Sequence, residues 1–305
     1  MLTVGQEGSL LTKINSGSNI RAVAFAADGG YLVSSGEGGV RVWRVEDGKQ
    51  MATMEAKNVW CLAVSRDGRW IAVGTWDGVF VWGAKTYETI FSHREDLNGI
   101  NGVDFPPDST RLVSVSDNST ATIWDIATRK RVQTLQHDGS VVAAKYSPQG
   151  DRIATATENS VRVWDSNNGR SLKHIPVTVI PWYNTGLLWS NNHLFVLSDR
   201  KIKQFEASTG SAISEWPVPE SSLYSCIALP KHVEFIACST KRTVIFWDTA
   251  THTQLGLIQH SQDSSFALSP DGRFLAIGGE DGKITINSLS RIAVRILLLD
   301  CDAYE

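Results

Sequence analysis

The side chains that could do chemistry in this 305-residue chain are few and scattered. The four cysteines, Cys61, Cys226, Cys238 and Cys301, show no Cys-x-x-Cys spacing, so the paired-thiolate pattern of a structural zinc site is missing. They read as buried small apolar side chains in a reducing compartment. Only Cys226 and Cys238 are placed to approach each other across one hairpin. Of the seven histidines, His174, His193 and His252 read as surface residues and His232 as a turn residue. No His-Glu-x-x-His, Gly-x-Ser-x-Gly or Gly-x-x-x-x-Gly-Lys-Ser/Thr occurs, so the motifs of zinc peptidases, α/β-hydrolases and P-loop enzymes are not there. Ser35-Gly36-Glu37-Gly38-Gly39 is glycine-rich but opens no helix, so it reads as a turn rather than a phosphate cradle. The carboxylates fall at turns, where Asp is favoured for backbone reasons. The expectation is a chain with no metal, no cofactor and no enzymatic activity.

The tryptophans carry a different message. There are eleven, and five of them end a short apolar strand followed by a turn. These are Trp43, Trp82, Trp124, Trp164 and Trp247, with Phe205 and Asn287 at the corresponding places of two further copies. Successive spacings are 39, 42, 40, 41, 42 and 40 residues. Upstream of each anchor lies a strand with apolar positions one, four and six, such as Ile20/Val23/Phe25 and Val141/Ala144/Tyr146. A polar turn follows, Asp28-Gly29 or Asp271-Gly272 for example, a hairpin signal between apolar runs. A further strand lies between turn and anchor, and another after it. Each copy is therefore four antiparallel strands, a to d. One small four-stranded sheet cannot bury both faces, whereas radial packing of seven sheets does so and leaves only short edges. The fold class expected is all-β: a seven-bladed propeller in one domain spanning 1–305. Its repeats run approximately 16–54, 55–92, 93–136, 137–176, 177–218, 219–259 and 260–299. The five tryptophan anchors read as packing between blades.

Net charge is −3, with 29 basic and 32 acidic residues, which gives no basic excess to hold a nucleic-acid backbone. The N-terminus has no basic stretch leading into an apolar one, and no window approaches the length of a membrane span. A cytoplasmic location is expected, with the nucleus as the other compartment, and no membrane partner.

These residues resemble the WD-repeat β-propellers. Trp124-Asp125, Trp164-Asp165 and Trp247-Asp248 are the dipeptide that names that family, and the resemblance covers roughly residues 9–298. His93, His137 and His260 stand where the family places the His of a Gly-His pair, although Ser or Gln precedes each here. The resemblance implies a structural hydrogen-bonded network of His, Ser/Thr, Asp and Trp. His137 with Trp164 and His260 with Asp281 are its candidate members. It implies fold, not a specific activity.

Two segments could supply the last d strand. One is residues 9–15, six residues before Ile20. The other is residues 292–296, at the usual offset from Asn287. Tying the first blade to the last favours residues 9–15, leaving 291–305 as a tail.

Propeller loops project at two faces, so function is expected there. The d–a and b–c turns share one face. On it, the second residue of each strand a points near the central mouth: Arg21, Trp60, Asn101, Val142, Thr185, Ser225 and Ser264. Trp60 and Trp76 lie in one blade and outside the packing frame, which resembles a protein-recognition hot spot. Trp182 and Tyr183, in the irregular stretch before blade 5, form a second aromatic candidate. Arg200 and the pair Lys241-Arg242 add basic groups on b–c turns. The function expected is a non-enzymatic scaffold that binds a protein or peptide on this face, as a monomeric propeller within a complex. The alternative is the sensor propeller of a larger signalling protein, as in fungal nucleotide-binding receptors. A propeller enzyme is the remote third reading.

Overall fold

The computed structural model describes residues 9–94, 98–179, 186–219, 227–229, 235–240, 242–260 and 264–289. They form strands and turns only, in seven four-stranded antiparallel sheets. Blade 1 is β2 (Ile20–Phe25), β3 (Tyr31–Gly36), β4 (Gly39–Arg44) and β5 (Gln50–Met54). Blade 2 is β6 (Val59–Val64), β7 (Trp70–Thr75), β8 (Val79–Gly83) and β9 (Thr89–His93). Blades 3 and 4 run from β10 (Ile100–Asp104) to β13 (Lys130–Gln136) and from β14 (Val141–Tyr146) to β17 (Ser171–Pro176). Blades 5 and 6 run from β18 (Leu187–Ser190) to β21 (Ala212–Pro217) and from β22 (Ile227–Ala228) to β25 (Gln254–Gln259). Blade 7 is β26 (Ser264–Leu268), β27 (Phe274–Gly279), β28 (Lys283–Ser288) and, from the other end of the chain, β1 (Ser9–Asn15).

The N-terminal strand thus closes the ring, as expected. Ser9 pairs with Ser288, Leu10 with Asn287 and Asn15 with Lys283. Ser16 extends the seam by donating its N–H to Gly282 O at 2.8 Å and its hydroxyl to the same carbonyl at 2.9 Å. Residues 291–305 lie outside the described residues.

Each inter-blade space is filled by apolar residues of two neighbouring sheets. Trp124, for example, packs with Cys61, Ala72, Val81, Phe91 and Val103 of blade 2 and of its own strand a. It is 1% exposed, and burial on that scale stabilises by about 2–3 kcal/mol per large side chain. Three of the anchors also hydrogen-bond within their blade. Trp43 Nε1–H donates to Ser34 Oγ at 2.8 Å, Trp124 to Ser114 Oγ at 2.8 Å and Trp164 to Thr155 Oγ1 at 2.7 Å.

Two β-bulges recur around the ring. In strand d, one residue opposite the anchor is left unpaired: Leu11, Met51, Ile90, Val132, Leu172, Ile213 and Leu255. A bulge slips the alternation by one. At three of these positions, Leu11, Val132 and Ile213, the side chain stands at the rim and is about half exposed, whereas Leu255 of blade 6 is buried. The bulges also break the regular edge of each outermost strand, which disfavours edge-to-edge pairing with other chains.

Candidate functional site

The second bulge lies in strand a. In strand a of blades 1 to 4 the unpaired residue is Arg21, Trp60, Asn101 or Val142. These are the positions the sequence places near the channel, and the bulge is what re-aims their side chains. Blade 7 continues its ladder from Ser264 without a bulge. Thr185, Ser225, Trp182, Tyr183 and Lys241 lie outside the described residues.

Arg21 and Trp60 occupy the same position in consecutive blades and meet. The guanidinium carbon lies 4.2 Å from the centre of the Trp60 ring system, within cation–π range. Glu37, from the first b–c turn, approaches the same guanidinium at 3.8 Å.

Trp76 sits in the b–c turn of blade 2 and is 57% exposed. Its backbone is fixed on both sides: its N–H donates to Asn58 O at 3.3 Å, and its carbonyl accepts from Gly99 N–H at 3.1 Å. The turn itself needs Gly78, whose φ is +150° and whose site has His93 O only 1.9 Å from where a Cβ would stand. The Gly99 carbonyl in turn accepts from Asp117 N–H at 3.4 Å. Asn101 Nδ2 donates to Asp117 Oδ1 at 2.7 Å and to Val141 O at 3.1 Å. The Ser140 hydroxyl donates to the same Asp117 oxygen. A hydrogen-bonded line therefore stitches blades 2, 3 and 4 across the mouth. Ser140 was not singled out in the sequence, although it stands one residue before strand a, as Asn58 and Gly99 do.

Arg200 and Arg242 are exposed on blades 5 and 6, across the ring from Trp60. Their carbonyls accept from Val218 N–H and His260 N–H, both at 2.8 Å. Neither arginine is joined to the Arg21–Trp60 pair by a contact among the described residues.

Among the structural candidates, His137 Nε2 lies 2.7 Å from Thr155 Oγ1, the acceptor for Trp164. Its Nδ1 faces Leu135 O at 3.2 Å, which sets the Nδ1–H tautomer. Asp281 accepts from Lys283, through the backbone N–H at 3.0 Å and Nζ at 2.8 Å.

A cavity of about 680 Å³ is lined by strands a and by residues of the a–b turns. Its charged lining residues include Asp104 and Lys145, joined at 3.1 Å. Cys61 also lines it, but burial pushes its thiol up to about 12, far from a thiolate nucleophile. Among the described residues no group of three or more His, Cys, Asp or Glu is arranged to hold a metal ion. Nor is any described helix long and apolar enough to cross a membrane.

The model of the family described as WD domain, G-beta repeat matches residues 8–44, 48–81, 85–125, 129–165 and 252–286. The chain belongs to the WD-repeat family. The stretch of this WD-repeat propeller without a match includes blade 5, where Phe205 stands in the anchor position. Similar curated proteins include periodic tryptophan protein 2 of Arabidopsis thaliana, 28% identical over 162 residues, covering 49% of this chain and 18% of that protein. The transcriptional corepressor LEUNIG_HOMOLOG of Arabidopsis thaliana is 23% identical over 280 residues, covering 76% of this chain and 35% of that protein. WD repeat-containing protein 1 of Xenopus tropicalis is 24% identical over 241 residues, covering 74% and 38%. The chain spans less than half the length of each of these relatives.

Proposed function

We propose that this propeller is a non-enzymatic interaction platform that docks a protein or peptide on the face made by the d–a and b–c turns. The observation that carries the reading is Trp76. A large indole is held exposed by a backbone fixed on two sides, beside bulge residues that face the mouth. Exposed tryptophan on a rigid support is the usual anchor of a protein interface, because its area is gained with little loss of side-chain freedom. Trp60, Arg21 and Asn101 complete the sector, with Arg200 and Arg242 as separate contacts. The reading includes an intracellular protein partner and no nucleic acid, and a relative named as a transcriptional corepressor supports it.

The test is affinity capture of partners followed by binding measurement with a Trp60→Ala/Trp76→Ala double variant. Loss of binding by the folded variant is the expected result. Full affinity for every captured partner would sink the proposal. The second reading, a recognition module of a larger signalling protein, is favoured by the relatives being more than twice as long as the matched region.

A further inference from the structure

Indole, cation and carboxylate already stand together within this chain. At the junction of blades 1 and 2 an indole (Trp60), a cation (Arg21, 4.2 Å) and a carboxylate (Glu37, 3.8 Å from the cation) stand together. At the junction of blades 2 and 3 the indole and the carboxylate recur. Trp76 is followed by Asp77, and both are exposed. Asp77 makes no ion pair among the described residues, and none of their cations lies over the Trp76 ring. Arg94, just beyond β9 of the same blade, places its guanidinium over Phe80, at 5.1 Å from that ring's centre.

We propose that Trp76 and Asp77 form the docking point for a Lys or Arg side chain of a basic protein segment. This rests on the reading of that face as the docking surface and adds the chemistry of the partner. The indole face attracts a cation, and the neighbouring carboxylate supplies an ion pair at its edge. Charge complementarity extends along the sector. Asp117 and Glu158, on the next two b–c turns, are exposed carboxylates with no ion pair among the described residues. Three basic groups of this sector are turned to partners within the chain, Arg21 to Trp60, Arg94 to Phe80 and Arg162 to Asp138, while Lys57, in the turn before β6, is exposed. A basic segment laid from blade 2 toward blade 4 therefore meets carboxylates, and an acidic one meets repulsion.

The experiment uses the intact chain and a displayed library of random twelve-residue peptides as the probe. Recovered peptides are then measured against wild type, Trp76→Ala, Asp77→Asn and the Trp60→Ala/Trp76→Ala pair by fluorescence anisotropy at two salt concentrations. Expected are sequences with a recurring Arg or Lys, weakened about tenfold by Trp76→Ala and about threefold by Asp77→Asn. Higher salt should weaken them further. Both side chains are exposed, so the single variants should unfold at the wild-type midpoint. Neutral or acidic peptides that still depend on Trp76 overturn the cationic partner and leave the docking face standing. Peptides indifferent to Trp76, or none recovered, overturn the proposal. Binding that also survives the double variant takes the docking face with it.

Discussion

Trp164 hands its indole N–H to Thr155 Oγ1 at 2.7 Å, and the same hydroxyl lies 2.7 Å from His137 Nε2. One side chain therefore satisfies two buried polar groups, one from strand c of its own blade and one from the turn that precedes that blade. With Nδ1–H directed at Leu135 O, the imidazole is neutral and Nε2 accepts the Thr155 proton. Removing the hydroxyl leaves an indole donor and an imidazole acceptor buried without partners. Thr155→Val should therefore cost about 2–3 kcal/mol, more than a single lost hydrogen bond. Urea unfolding of the variant beside wild type measures it, and a cost under half a kcal/mol would show that the network carries little weight.

Blade 6 offers the reverse experiment. The acceptors Ser34, Ser114 and Thr155 each stand two residues beyond the partner of the anchor in strand b. In blade 6 that position is Cys238, since Ile236 pairs with Trp247. The Trp247 indole nitrogen is buried and finds no acceptor among the described residues. Cys238→Ser places a hydroxyl at the corresponding site and should stabilise by about 0.5–1.5 kcal/mol. A fall in the urea midpoint would refute the equivalence of the two blades.

These comparisons also show what could be read in advance. The anchors, the four-strand unit and the closing strand were legible because each is a periodic feature, and seven copies reinforce one another. The pairing of Arg21 with Trp60 is half legible: both hold the second position of strand a, and a separation of one repeat is what puts them side by side. The exposed rim of Leu11, Val132 and Ile213 was not legible. A bulge adds one residue to a strand, so alternation counted along the sequence assigns the wrong face beyond it. The stitch through Gly99, Asp117 and Ser140 was hidden for another reason. Its links through Gly99 are made by backbone groups, which leave no trace in residue type, and its link through Ser140 comes from a position outside strand a.

His137 makes stability depend on pH. Burial, the largest influence, pulls its pKa from 6.5 to about 4; the hydrogen bond to Leu135 O works the other way, and Arg162 adds to the lowering. The unfolded chain takes up this proton near pH 6.5, whereas the folded chain resists until about pH 4. Between those values the unfolded state binds more protons, so stability is complete above pH 6.5 and drains as pH falls toward 4. The loss attributable to this residue is about 3 kcal/mol at most. Urea unfolding at pH 7, 5.5 and 4.5 should show a slope that His137→Gln flattens. An equal slope in both proteins would remove His137 from the account.

Closure makes the sharpest demand on a single residue near a chain end. Ile14 is buried and packs with Ile284 and Ile286 of blade 7 and with Phe25, Trp43 and Val45 of blade 1. It fills the seam where the ring is joined by hydrogen bonds rather than by chain continuity. An ordinary terminal residue tolerates truncation with little effect. Ile14→Ala instead removes buried methyl groups from a space walled by two blades, and the expected cost is about 2–4 kcal/mol. The neighbouring Lys13→Ala, at an exposed position of the same strand, should change stability by less than about 0.5 kcal/mol. Chemical unfolding of the two variants side by side separates closure by packing from closure by the ladder alone. If Ile14→Ala is as mild as Lys13→Ala, backbone pairing of β1 with β28 is enough to hold the ring.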